Sequence, residues 1–407
     1  MHRIGSIILE EVINSDGGDY RGRTFPCEEG HIFEFKGYGE KKLLTLLGPV
    51  KVERAYYYDE QCKCGCSPKD TALNIEGSSF SPGVKRIMGR VGSFRPFGAG
   101  HEDIKEIAGI LVESKEIERQ CHQLGQEVED FYKTEGDVAL SGKIIKMKSV
   151  PKMYICMDGT GVPVIKAETV NRKGKGKDGK AKSREVKLGC IFTQTTVDEE
   201  GHPVRDEDST SYAGAIETAD EFGGRIYREA ICRGLDRAEK VCVIGDGAPW
   251  IWNIADEHFY GAIQIVDLYH AREHYWNVTK IAFGCDKKNL KQWTEKRCKE
   301  LNQGTAEEVI KAIVHLSAST KEEQELLEKE IGYFEKNKER MRYDEFRKQE
   351  LFVGSGVVEA GCRTVVGQRL KQSGMHWSVK GANNIIALRC CFLSNRWEDF
   401  WEYRASY

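Results

Sequence analysis

Residues 241–270 read VCVIGDGAPWIWNIADEHFYGAIQIVDLYH, two short apolar runs that each end on an aspartate. Val241–Ile244 and Ile263–Val266 are rich in β-branched residues, too short for helices and bounded by glycine, so the pattern predicts buried parallel strands. Asp246 and Asp267 then stand at strand C-terminal ends, the edge where open α/β sheets collect ligands. Gly247-Ala248-Pro249 supplies a tight exit that leaves room beside the Asp246 carboxylate. A lone strand-end Asp serves equally well as a helix cap, so the reading depends on partners.

Two partners are visible. Met153–Met157 predicts another short strand ending on Asp158, followed by Gly159-Thr160-Gly161. Downstream, Gly354-Ser-Gly-Val-Val-Glu359-Ala-Gly-Cys-Arg363 predicts a helix start with Glu359 in its first turns. Each acid alone has an ordinary structural use, as a turn residue or a first-turn helix charge. Together, three carboxylates from two strands and a helix could converge on a divalent cation, and Mg²⁺ and Mn²⁺ favour such hard oxygen ligands.

A chain of 407 residues predicts two or three folded units. No apolar run approaches the roughly 18–20 residues that span a bilayer. The start, MHRIGSIILEEVINSDGG, has too short an apolar core for a signal peptide. Fourteen cysteines, among them Cys156, Cys190 and Cys242 inside apolar strands, read as buried thiols of a reducing cytosol. A net charge of −3 means that any nucleic-acid surface is local.

In chain order, residues 1–75 predict a β region with Cys62, Cys64 and Cys66, preceded by Cys27 and His31. A small zinc site drawn from Cys27, Cys62, Cys64 and Cys66 is one expectation, free thiols the other, because Cys-x-Cys-x-Cys is an unusual ligand spacing. Residues 80–135 predict helices, with Ser81-Pro82 as a start signal. His101–Ile110 and Ser114–Tyr132 flank a short turn, and Lys115, Arg119, Gln120, His122 and Gln123 lie on the second helix. That fits a helix-turn-helix or a plain helical hairpin. Residues 133–150 read as a linker, 150–270 as the first part of an α/β core, 271–350 as a helical insertion and 351–407 as the last part of the core. Within the core, Val186–Thr196 predicts a strand and Gly214–Arg233 a helix. The run 171–187 holds eight Lys or Arg against two acids, including Lys173, Lys175 and Lys177, and is expected to be an arm for phosphates. Arg369, Lys371 and His376 give the last segment a basic face.

The motifs MDGTGVPV (157–164), GDGAPWIW (245–252), DLYHAREH (267–274) and GSGVVEAGC…GQRLKQSGMHW (354–377) resemble the DDE transposases of bacterial insertion sequences, specifically the Kra type of the Mutator-like group. The resemblance covers most of residues 150–402 in the right order. It implies an α/β fold with an RNase H-like catalytic core and a large all-α insertion, preceded by a cysteine-bearing β region and a helix-turn-helix-like α region. It implies Asp158, Asp246 and Glu359 as catalytic ligands of two Mg²⁺ (or Mn²⁺) ions, and Asp267 and His270 as the group's Asp-x-x-His signature, orienting the site. The expected activity is binding of element ends, phosphodiester cleavage and strand transfer on double-stranded DNA, by a homo-oligomer in the bacterial cytoplasm, nucleoid-associated when bound, with no membrane partner and no small-molecule cofactor. Trp250 and Trp252 could stack on an unpaired base near the cut. The family's paired-cysteine spacing is not reproduced by Cys62, Cys64 and Cys66. The competing expectations are a site-specific DNA-binding protein on a catalytically idle scaffold, and a plain nuclease of the same fold.

Overall fold

The computed structural model describes residues 2–26, 32–61, 63–141, 150–174, 179–283, 287–316, 318 and 320–406. The chain divides into two compact units, Met1–Leu124 with Trp401–Tyr407, and Gly125–Phe400.

The first unit opens with α1 (His2–Asn14) and a four-stranded antiparallel sheet, β1 (Thr24–Pro26), β2 (Ile32–Thr45), β3 (Gly48–Asp59) and β4 (Cys64–Cys66), in that order. Along β3, Val50 and Val52 are buried on one face with Leu43 and Ile75, and Ala55 and Tyr57 on the other with Phe33. After α2 (Pro68–Ala72), α3 (Pro82–Phe94) starts as its sequence predicts: Ser81 Oγ accepts the Val84 N–H at 3.4 Å and Pro82 occupies the first turn. Helix α4 (Phe97–Ala108) ends at Gly109 in the left-handed conformation, φ 63°, and α5 (Ser114–Leu140) follows.

Helix α5 is 27 residues long, so residues 133–140 are helix where the glycine and lysine content suggested a linker, and residues 142–149 of that stretch lie outside the described residues. In the second unit Val128 and Phe131 are buried, and Arg396 Nη2 donates to both Glu135 oxygens at 2.5 and 2.6 Å. Tertiary packing of this kind outweighs local propensity.

The second unit is mixed α/β around a five-stranded mixed sheet, ordered β11 (Ile263–Val266), β10 (Ala238–Gly245), β5 (Val150–Pro163), β6 (Ser183–Gln194) and β9 (Ser211–Ala215). The first three are parallel, with Cys242 opposite Ile263 and Ile244 opposite Cys156; β6 and β9 are antiparallel additions. A two-stranded ribbon, β7 (Thr196–Val197) with β8 (Pro203–Val204), sits between β6 and β9 in sequence. Every residue from Met153 to Met157 is fully buried, as expected for a central strand covered on both faces. Helices α6 (Ala219–Cys232) and α7 (Pro249–His258) carry the crossovers that keep β10 and β11 parallel. The insertion follows: α8 (Leu268–Phe283), α9 (Lys287–Asn302), α10 (Ala306–Val314), α11 (Lys321–Asn337) and α12 (Tyr343–Lys348). The chain returns through α13 (Gly356–Gly361), a π-helical stretch at Cys362–Gly367, α14 (Gln368–Leu370), α15 (Val379–Leu393) and α16 (Trp397–Ala405).

Two expectations are corrected here. Strand β5 does not stop at Asp158 but runs on through Gly159-Thr160-Gly161 to Pro163, because that half forms a ladder with β6 in which Asp158 pairs with Leu188. Residues 214–218 are not helical: Ser211–Ala215 adds an edge strand, and the helix begins only after a capping box in which Thr218 Oγ1 accepts the Glu221 N–H at 3.3 Å. No helix among the described residues is long and apolar enough to cross a membrane.

Candidate active site

Strands β5 and β10 part company at the site. Their last pair is Ile244 with Cys156, so Asp158 and Asp246 both lie just beyond the point where parallel pairing stops. Asp246 Oδ1 accepts the Ala248 N–H at 2.8 Å, a turn that depends on Gly247 at φ 100°. The bare Gly247 backbone also admits Tyr333 of α11, since a Cβ there would lie 2.5 Å from Tyr333 Cε2. The Tyr333 hydroxyl donates to the Asp246 carbonyl at 2.9 Å, and its ring stacks on His274 with centroids 3.7 Å apart. His274 Nδ1 lies 2.6 Å from Glu330 Oε2. Burial holds the Tyr333 hydroxyl well above its ordinary pKa, helped by the charges of Asp246, Asp267 and Glu330. It therefore acts as a neutral donor.

Asp158 is half-buried, and its Oδ2 accepts the Cys362 S–H at 3.3 Å. Burial raises its pKa, as does the negative charge of Asp246, against the Cys362 and Gly159 hydrogen bonds and the charge of His270. Cys362 is itself pushed up by burial and then by Asp158, which keeps it a thiol and a donor. Glu359 on α13 is exposed; desolvation and the charges of Asp267 and Asp158 raise its pKa while His270 lowers it. Asp158, Asp246, Asp267, His270 and Glu359 thus form one electrostatic neighbourhood. Among the described residues, however, no three His, Cys, Asp or Glu side chains stand close enough to hold a metal ion as they are.

Asp267 is 1% exposed and is occupied by backbone donors. Its Oδ1 accepts the Tyr269 and His270 N–H groups at 2.6 and 2.9 Å, and its Oδ2 accepts the Ser355 N–H. It caps α8 and ties that helix to the segment carrying Glu359. His270 Nδ1 lies 3.7 Å from Glu273 Oε2.

The basic residues divide. Lys371 is exposed and donates to Thr160 Oγ1 at 2.5 Å, on the same face of β5 as Asp158; His376 is also exposed. Lys173 is exposed, while Lys175 and Lys177 lie outside the described residues. Arg369 is corrected: it is 1% exposed with its guanidinium 4.9 Å from the Trp377 ring centroid, so it is a packing residue and presents no charge to a DNA surface. Trp252 is likewise 5% exposed beneath Arg340, and Trp250 packs against Phe222. On α5, Lys115 and Gln123 are exposed, Arg119 pairs with Glu116 at 2.6 Å and Gln120 is buried. Of the candidate zinc ligands, Cys27 and Cys62 (and His31) lie outside the described residues; Cys64 is exposed and Cys66 half-buried. The buried strand cysteines are as expected, with Cys242 pushed up to about 12 by burial. Sequence reading missed Tyr333 and Glu330, which reach the site through the insertion and carry no local motif, and assigned no role to His274, the last residue of the DLYHAREH run.

No family model matches the chain. A UPF0236 protein of Caldanaerobacter subterraneus subsp. tengcongensis is 24% identical over 372 residues, spanning 86% of this chain and 67% of its own; its name joins eleven locus designations. The Drosophila P element transposase strand transfer complex is similar at a TM-score of 0.26 and 12% identity, over 78% of this chain and 79% of that one.

Proposed function

We propose that the chain is a DNA transposase of the Kra type with an RNase H-like core, which binds the ends of an insertion sequence and carries out cleavage and strand transfer through Asp158, Asp246 and Glu359. The observation that carries the reading is the placement of Asp158 and Asp246 just beyond the last β5–β10 pair, with Glu359, 113 residues after Asp246, near enough to Asp158 for that charge to help raise its pKa after burial and Asp267. A scaffold without chemistry has no use for so costly a cluster. The antiparallel β5-β6-β9 meander extended by two parallel crossover strands supports the core assignment. The eleven designations joined in the relative's name are what a multicopy mobile gene would carry, and support the class without bearing on catalysis.

The donor chemistry fits Mg²⁺ or Mn²⁺: half-buried or exposed carboxylate oxygens whose repulsion a cation would relieve. Two ions held by Asp158, Asp246 and Glu359 would activate the attacking oxygen and stabilise the leaving one. The protein's own part is positional. Cys362 fixes the Asp158 carboxylate, Tyr333 and the Gly247 turn fix the Asp246 backbone, Asp267 anchors the Glu359 segment, and Lys371 offers a cation for a DNA phosphate beside β5.

The idle-scaffold alternative gains from the absence of a ready three-ligand set among the described residues. The full chain, incubated with a plasmid bearing the DNA that flanks its gene, separates the two. Mg²⁺-dependent nicking and strand-transfer products, lost in Asp246→Asn with DNA binding kept, are expected. Binding without nicking under Mg²⁺ or Mn²⁺ would establish the alternative.

A further inference from the structure

Two arginines of the helical insertion share one acceptor, Asn302. Arg272 on α8 donates from Nη2 to Asn302 Oδ1 at 2.9 Å. Arg347 on α12 donates to the Asn302 carbonyl at 2.9 Å and to the same Oδ1 at 3.4 Å. Their shared acceptor is neutral, and among the described residues neither guanidinium forms an ion pair with a carboxylate. The Arg272 Nε is buried with no acceptor. Two cations held against one amide, with a donor to spare, leave a positive charge that an anion would neutralise.

These side chains line a pocket of about 570 Å³ with Tyr269, Phe352, His202 and Gly354. The carboxylate in its lining, Glu200, lies 3.5 Å from His202 Nδ1 and forms no ion pair with either arginine among the described residues. Tyr269 is 61% exposed, unusual for a large aromatic ring two residues from the buried Asp267. The Arg272 guanidinium is 5.4 Å from its centroid, and a Cβ on Gly354 would come within 3.0 Å of its Cε2, so the ring lies against bare backbone. Gly356, also in the lining, begins the helix that carries Glu359 three residues later.

We infer that this pocket is a nucleotide subsite: Arg272 and Arg347 take one backbone phosphate of the DNA strand entering the carboxylate cluster, and Tyr269 takes the adjoining unpaired base by stacking. The inference rests on the transposase reading and names the part of the substrate that the site grips.

The test uses the full chain, a blunt labelled duplex and the same duplex with a short single-stranded tail, followed by fluorescence anisotropy across a salt series. The double variant Arg272→Gln/Arg347→Gln is expected to weaken binding of the tailed duplex about tenfold and to lower the salt slope by about 0.7–0.9, one phosphate contact. Tyr269→Ala is expected to weaken the tailed duplex and spare the blunt one. If wild type binds and nicks DNA but the double variant keeps its affinity and slope, the subsite is overturned and the transposase reading stands. If wild type neither binds nor nicks, both fall. Asn302→Ala, which keeps both guanidiniums, guards against a folding artefact: equal losses of thermal stability in it and the double variant, with DNA binding intact in both, would make the arginines structural. Stabilisation of wild type by inorganic phosphate, with no effect of the variants on DNA, would assign the pocket to a free anion and overturn the DNA assignment.

Discussion

The carboxylate of Asp267 accepts the backbone N–H of Ser355, 88 residues further along the chain. Through that bond the last strand of the sheet governs where the Glu359 helix begins. Ser355 is 6% exposed, so its N–H has no easy replacement in water. Asp267→Ala is expected to cost about 1–3 kcal/mol for the stranded buried donor, with cleavage lost even under conditions where the protein stays folded. Urea unfolding and nicking assays on the same sample check both; wild-type cleavage would remove Asp267 from the positioning role.

Asp158 and Glu359 both have pKa values raised above the ordinary carboxylate range. The folded, ion-free protein therefore holds protons more tightly than the unfolded chain. The stability from these groups is complete below the ordinary carboxylate pKa values and is lost as pH rises through the folded ones. Asp158→Asn, which cannot ionise, is expected to melt higher than wild type in EDTA at neutral pH, with the advantage gone below about pH 3.5. Mg²⁺ should raise the melting temperature of wild type and not of the variant. Melting curves across pH decide it.

Gly247 and Gly374 both have positive φ, 100° and 79°, yet only Gly247 has a neighbour where a Cβ would go. Gly247→Ala is expected to cost about 1–3 kcal/mol from backbone strain, with a steric penalty on top that also displaces Tyr333; Gly374→Ala is expected to pay the strain alone. Equal unfolding midpoints for the two variants would contradict the packing described around Asp246.

Tyr333→Phe keeps the ring on His274 and removes one hydrogen bond to the Asp246 carbonyl. The expected loss is about 0.5–1.5 kcal/mol, with slower cleavage and unchanged DNA affinity. A variant with full cleavage would show that the insertion does not hold the Asp246 turn.

Arg369→Ala and Lys371→Ala should behave oppositely although they are two residues apart. The first removes a buried side chain packed on Trp377 and is expected to lower stability by about 1–3 kcal/mol. The second leaves the fold intact and weakens DNA binding while reducing its salt slope. Melting temperature and anisotropy, measured on both, distinguish packing from contact.

The parallel strands were legible because Val241–Ile244 is apolar throughout and Ile263–Val266 carries a single polar residue, Gln264, and the start of α3 announced itself through the Ser81 cap. The local structure around Asp158 was misread: Gly-Thr-Gly reads as a turn, and only the β6 partner makes it strand. Ser211–Ala215 is short and small-sided, so an edge strand there has no periodicity to show. Burial of Arg369 followed from the position of Trp377, which no charge pattern encodes. Tyr333 meets Asp246 across 87 residues of sequence, a distance over which spacing says nothing.

The π-helical stretch at Cys362–Gly367 sets a constraint on length as well as composition. It carries a surplus residue between Glu359, which looks outward, and the buried run of Val365, Val366 and Leu370. Rewinding this stretch as α-helix with all six residues kept would swing everything beyond it by about 100° relative to Glu359. A single deletion within these six positions should therefore be tolerated better than a further insertion, because it lets the stretch become α-helix without turning the segment beyond it.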